Sequence, residues 1–406
     1  MDSLQIARID AARNRTATAA VLVSFGVAGV VTTILGPILP VLIARWSLTD
    51  ERAGLFFTVQ FATNMIGLAS LSAILPRWGY KAVLVPGYIA IALGLAGLNA
   101  NSAQAGLAAT ALYGYGLGLV LASSNLWVAE AAESRRLAAL SILNFAWGIG
   151  AVICPPVVLV AARHGAASWF LYGVAAASLC AALALTAVHL GIPPSRPSAD
   201  SSSRGSPAHA AGVISAIALG ALYYLYVGTE NSVAGWVAAL AKRMSAGPSD
   251  LWALAPMFFW AGLLGGRAFV PVNPLRTRER TLVIVGLTMG LAGSAVLLVV
   301  KTFWEIAACS AVCGLGFAAV YPVLLAWLTK QFGGGARRIG NIFFALSSLG
   351  GATMPWLVGF FSTRQNDLRA GLVVPAAACV AMLICLSWVP RWVTESEASE
   401  QRGYLS

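Results

Sequence analysis

Apolar residues run along this chain in long blocks separated by short polar breaks. Stretches near twenty residues long recur at about 17–44, 53–76, 82–100, 104–129, 138–162, 167–190, 213–239, 250–271, 281–300, 303–328, 339–362 and 370–390. A helix rises about 1.5 Å per residue, so roughly twenty apolar residues cross the hydrocarbon core of a bilayer, and each block predicts one spanning helix. One break differs from the others. Ile192 to Gly212, IPPSRPSADSSSRGSPAHAAG, is rich in Pro and Ser, lies at mid-chain and reads as a flexible cytoplasmic linker.

Six blocks precede that linker and six follow it. The expected organisation is therefore a six-helix half over 1–191, a linker over 192–212, a second six-helix half over 213–391 and a cytoplasmic tail over 392–406. A faint internal echo supports duplication: Gly116-Leu117-Gly118 returns as Gly314-Leu315-Gly316, and Gly150 with Pro155 returns as Gly350 with Pro355, at offsets of 198 and 200. The expected fold class is an all-α membrane protein of twelve transmembrane helices in two pseudo-symmetric six-helix halves.

Composition agrees, with 59% hydrophobic and 10% charged residues against roughly 25% charged in soluble domains. The net charge of +11 gains meaning from where the cations fall. With the N-terminus inside, 18 of the 26 Lys and Arg residues lie on the cytoplasmic side, which predicts a multi-pass cell-membrane protein with both termini cytoplasmic. The basic balance thus reflects topology, and nucleic acid is not an expected partner. The first apolar block lacks the short h-region and cleavage site of a leader and reads as a retained helix. All six cysteines fall inside proposed spans, where Cys behaves as a small apolar residue, so neither a disulfide framework, a metal site nor a cofactor is expected.

Within this apolar background Glu230 stands out. It lies past the middle of a helix expected from about Val213 to Ala239, where an acidic side chain costs roughly 2.5–3.5 kcal/mol on insertion scales and usually faces a bundle interior or a watered cavity. Tyr223, Tyr226 and Glu230 share one face by their spacing of three and four. The competing reading is a structural hydrogen bond between helices. Of the other carboxylates, Asp50 and its like fall near loops or in tails, and Glu130 and Glu133 near the inner surface.

Further polar positions join the list of candidates. Asn125 in the fourth span, Asn144 and Trp147 in the fifth and Tyr321 in the tenth are expected to converge with the Glu230 face on one central cavity. Gln60 and Asn64 in the second span serve equally as helix glue or as cavity groups. Gly36-Pro37-Ile38-Leu39-Pro40 is expected to loosen the outer end of the first span, because proline removes a backbone donor. Arg77, Lys81 and Arg267 sit near the inner ends of their spans and are assigned to gating.

These features resemble the major facilitator superfamily over essentially the whole chain. Between spans two and three the superfamily signature G-x-x-x-D-R-x-G-R-K is matched at Arg77, Gly79 and Lys81, while Pro76 stands at the acidic position and Ser72 at the first glycine. GLGLVLASSN (Gly116 to Asn125), LNFAWG (Leu143 to Gly148), YVGTENSVAGW (Tyr226 to Trp236) and GGATMPWLVG (Gly350 to Gly359) are similar to the fucose and glucose symporter branch. The fucose transporters' proton-handling carboxylates match Gly36 and Leu121 here, so that form of coupling is not inherited. The resemblance implies alternating access around a sugar-like or other small polar substrate held between the halves.

The resulting expectation is a monomeric secondary transporter in the lipid bilayer, with a small-molecule substrate and with protons or sodium as coupling ions. If protons drive it, Glu230 is the natural carrier: burial raises a carboxyl pKa toward the working pH range, and a positive neighbour acts oppositely. A proton-antiporting exporter of amphipathic compounds is the alternative. An enzyme is disfavoured: His164, His189 and His209 fall near loops, and neither H-E-x-x-H, G-x-S-x-G nor a phosphate-cradling G-x-x-x-x-G-K-[ST] loop occurs.

Overall fold

A computed structural model describes residues 3–132, 135–191, 210–244, 250–269, 278–332 and 336–390, which are helical with no strand among them. The linker expected over 192–212 lies almost wholly outside the described residues, as do Glu133 and the tail. Before the linker come α1 (Ser3–Thr33), α2 (Leu35–Trp46), α3 (Asp50–Trp78), α4 (Lys81–Gly97), α5 (Ala103–Ala131), α6 (Arg136–Arg163) and α7 (Ala167–Ala187). After it come α8 (Ala210–Met244), α9 (Ala255–Phe269), α10 (Glu279–Val296), α11 (Phe303–Phe317), α12 (Val320–Phe332), α13 (Ala336–Gln365) and α14 (Leu368–Cys385). Among the described residues, ten segments are long and apolar enough to cross a membrane. The shorter α4 and α9 complete the expected twelve.

Three expected spans differ from simple rods. The first breaks at Ile34 into α1 and α2, and the tenth breaks at Ala318 into α11 and α12. Both breaks follow from a proline further along: Pro37 has no N–H for the Thr33 carbonyl, and Pro322 has none for Ala318, so the ladder fails one turn before the ring. The eighth starts as a 3-10 turn, Asp250–Leu254, before Pro256 takes its place in the first turn of α9.

The duplication is visible in how glycines let backbones touch. A Cβ at Gly150 on α6 would meet the Gly26 carbonyl of α1 at 2.0 Å, and one at Gly350 on α13 would meet the Tyr224 carbonyl of α8 at 1.9 Å. Likewise Gly116 faces Gly87 of α4 as Gly316 faces Gly286 of α10, and Gly114 faces α3 as Gly314 faces α9. The structural partners are therefore 114 with 314 and 116 with 316, an offset of 200 shared with 150 and 350. The sequence match at 198 was out of register by two residues, because identical Gly-Leu-Gly triplets outweigh the faces those glycines occupy.

The two sets of helices meet chiefly where α3 packs on α13, α2 on α8, and α6 on α9. The cross-contacts gather toward the end of the molecule that carries Asp50. There Arg243 Nη1 donates to Asp50 Oδ2 at 2.8 Å, Arg243 Nη2 and Ser362 Oγ also bond the Asp50 carboxylate, and the Glu51 N–H donates to Thr363 Oγ1 at 2.9 Å. Deeper in, Thr58 Oγ1 donates to the Ala352 carbonyl at 2.6 Å, and the Phe57 and Trp236 rings lie 6.4 Å apart. This end is closed. The turns here are capped by Thr49, Ser102, Thr302 and Asp367, each satisfying an orphan N–H of the helix that follows. Toward the opposite end, which carries Tyr80, Asn144 and Gly265 are exposed and a Cβ at Gly265 would meet open space.

Candidate functional site

Glu230 sits in the long α8, its side chain 12% exposed. One turn earlier, the Tyr226 hydroxyl donates to Glu230 Oε2 and also lies 3.1 Å from the Phe317 carbonyl. That carbonyl belongs to the last residue of α11, beside the break at Ala318. A phenol has one proton, so Tyr226 can serve only one of the two acceptors at a time. Arg267 of α9 brings Nη2 to 3.9 Å from Glu230 Oε2, while its Nε is buried with no hydrogen-bond partner.

Aromatic rings enclose this pair. Tyr321 of α12 lies 5.8 Å from Tyr226 and 5.8 Å from Tyr223 between ring centroids, and Tyr223 packs on Phe343 at 5.4 Å. The Tyr223 hydroxyl is buried without a partner. Across the interface, Trp147 of α6 meets Trp260 of α9 edge-on at 5.5 Å and donates from Nε1 to Thr32 Oγ1 at 3.3 Å. Beyond the tryptophans, toward the Asp50 end, a gap of about 10 Å³ is bordered by Thr32, Gln60, Asn231, Gly235 and Trp260. It holds no more than about one water. Gln60 is tied on both sides, accepting from Tyr113 OH at 3.0 Å and donating to the Thr32 carbonyl at 3.3 Å, so it braces α1, α3 and α5 within one half.

The structure thus brings Tyr223, Tyr226, Glu230 and Tyr321 into one cluster, with Trp147 joined through Trp260. Asn125 and Asn144 instead donate to the Leu121 and Leu140 carbonyls of their own helices, each at 2.8 Å, and no described contact joins them to Glu230. The three residues assigned to gating part company. Arg77 is exposed at the end of α3, Lys81 Nζ donates to the Thr186 carbonyl of α7 at 2.8 Å within the same half, and Arg267 reaches the carboxylate of Glu230. Beside them the Tyr80 hydroxyl donates to Glu130 Oε2 at 2.8 Å, and burial, with the Glu130 carboxylate adding to it, pushes that phenol well above its ordinary range.

Two features were missed from sequence. Asp50 is 8% exposed and linked to Arg243 and Ser362, although its position beside a turn suggested a solvated residue. The Glu230 and Arg267 pairing was detectable by depth: Glu230 stands 14 residues before the end of α8 at Met244, and Arg267 stands 12 residues after the start of α9 at Ala255, so antiparallel neighbours bring them level.

Comparison with known proteins places this geometry in a family. Residues 21–278 match the model of the Major Facilitator Superfamily, and the chain belongs to that superfamily. No curated protein sequence matches it. Among solved structures, a mutant of the nucleoside transporter NupG is similar with a TM-score of 0.75 at 13% identity, covering 92% of this chain and 99% of that one. The xylose transporter XylE from E. coli, in an inward-open conformation, gives 0.73 at 13% identity over 93% and 96%. FucP, a superfamily transporter in an outward conformation, gives 0.61 at 17% identity over 92% and 98%. At these identities the likeness is one of fold.

Proposed function

We propose that the protein is a secondary transporter in which the helices before and after the linker rock about a central site, carrying a small polar solute with Glu230 as the proton carrier. The observation that carries this reading is a carboxylate embedded among aromatic rings, in contact with an arginine, beside the interface that must open and close. With both termini in the cytoplasm, the Asp50 end is extracellular and sealed, so the state described is open to the cytoplasm. The higher TM-score with the inward-open XylE than with the outward FucP fits that orientation. Tyrosine and tryptophan faces with hydroxyl edges suit a ligand of sugar size, in keeping with the similarity to transporters named for xylose and nucleosides. The four stretches similar to the fucose and glucose symporter branch favour symport over drug export.

The test is transport in proteoliposomes by the purified full chain and by Glu230→Gln. Under this reading the variant loses proton-driven accumulation but keeps exchange of solute between equal compartments. Wild-type accumulation and proton flux in the variant would remove Glu230 from coupling.

A further inference from the structure

We infer that the solute carries one carboxylate group, which docks on Arg267 while Glu230 takes up a proton; this rests on the transporter reading above and narrows it to a small hydroxylated monocarboxylate. The first support is the state of the guanidinium. Arg267 Nε is buried and unpartnered. Buried N–H groups without an acceptor are rare, and a guanidinium offers five donors in a planar fork built for two oxygens at once.

The second support is the weakness of the existing partner. At 3.9 Å, Nη2 and Glu230 Oε2 are in Coulombic contact but outside the roughly 2.7–3.2 Å of an N–H···O hydrogen bond, and that same oxygen already accepts from Tyr226. Glu230 therefore balances the charge of Arg267 without filling its fork. The Nε–H is unpaired but closed off from solvent here, so a turn of the guanidinium presents it to an incoming carboxylate, whose two oxygens match that edge far better than the single hydroxyls of a neutral sugar. The third support is the surround: the Tyr223 hydroxyl is buried and unpartnered beside the Tyr321 ring, ready for a hydroxyl on the body of the solute.

Charge conservation then dictates coupling. The empty site holds one cation and one anion. A second anion alone would leave a net negative charge in a poorly solvated place, whereas an anion arriving with a proton leaves the total unchanged. The proton comes from solvent on the open side and ends on a Glu230 oxygen, and Tyr226 is then free to turn its own proton to the Phe317 carbonyl. The charged and titratable groups acting on Glu230 are Arg267 from α9, Tyr321 from α12 and Tyr226 on its own helix.

The experiment uses the purified full chain and matched pairs of solutes: lactate and lactamide, glycerate and glycerol, gluconate and sorbitol, glucuronate and glucose. The readout is the ligand-induced rise in thermal unfolding midpoint across pH 5 to 9. At least one carboxylate should stabilise the wild type well beyond its neutral mate, with apparent affinity falling toward tenfold per pH unit at the alkaline end. Glu230→Gln should bind the same carboxylate with no such pH slope. Arg267→Gln should lose the effect, and Arg267→Lys should keep a weaker part of it. Equal stabilisation by the neutral mates, silence of all four carboxylates, or unchanged binding in Arg267→Gln would each overturn the inference. Uptake of a neutral sugar coupled to protons through Glu230 would overturn it too, while leaving the transporter reading standing.

Discussion

Among the described residues, two acid and arginine pairs are built differently. Asp50 and Arg243 join the two sets of helices at the closed end: the carboxylate is 8% exposed, both guanidinium nitrogens reach it, and Ser362 supports it. Glu230 and Arg267 both belong to the helices after the linker, and they stand 3.9 Å apart with a phenol holding one oxygen and an arginine nitrogen left over. A carboxylate tied by both guanidinium nitrogens and a serine hydroxyl holds a conformation in place. One with spare capacity can exchange partners, which a transport site requires and a lock must avoid.

The largest effect that separates them should come from Glu230→Gln. We expect proton-driven accumulation to fall by at least about tenfold, equivalent to about 1.4 kcal/mol of lost coupling, with the unfolding midpoint nearly unmoved. Asp50→Asn should do the reverse. Breaking a half-buried pair falls between the exposed and buried limits, about 1–3 kcal/mol, and because this pair crosses the interface the loss should appear as faster thiol labelling of a cysteine placed at Thr363. A double-mutant cycle with Arg243→Gln should show strong coupling at Asp50. If Asp50→Asn leaves labelling unchanged, the contrast between lock and exchange site fails.

Arg243→Lys sharpens the comparison further, since lysine keeps the charge but cannot bridge both carboxylate oxygens; about half of the Asp50→Asn effect on labelling is expected. Tyr226→Phe should give the smallest change, about 1 kcal/mol, the net worth of one hydrogen bond. Measured as solute affinity, it should be felt most under conditions where Glu230 is charged and needs the phenol as donor.

Much of the fold was legible because lipid imposes a strong rule: long apolar blocks must be helices, and a linker between six and six implies two bodies. Glu230 was legible for the same reason, as a charge where charge is costly. Its partner was not. Arg267 was visible as a cation near a span end, but choosing between snorkelling and inward pairing requires knowing which helix lies beside it at equal depth. The Asp50 and Arg243 link is 193 residues long in sequence and forms between helix ends that pattern alone assigns to loops. The prolines of the first span were read as disruptive, yet its break falls at Ile34, ahead of the Pro37 ring, because the missing hydrogen bond acts on a carbonyl four residues back; the break at Ala318 was not anticipated.

The seam between α3 and α13 has a further consequence. Gly54 lies against the backbone of Trp356 and Gly359 against the carbonyl of Asp50, while the Phe61 ring occupies the notch left by Gly351, so the two helices approach closely and interlock at one ring. On the transporter reading proposed above, this seam is the one that parts when the Asp50 and Arg243 latch lets go.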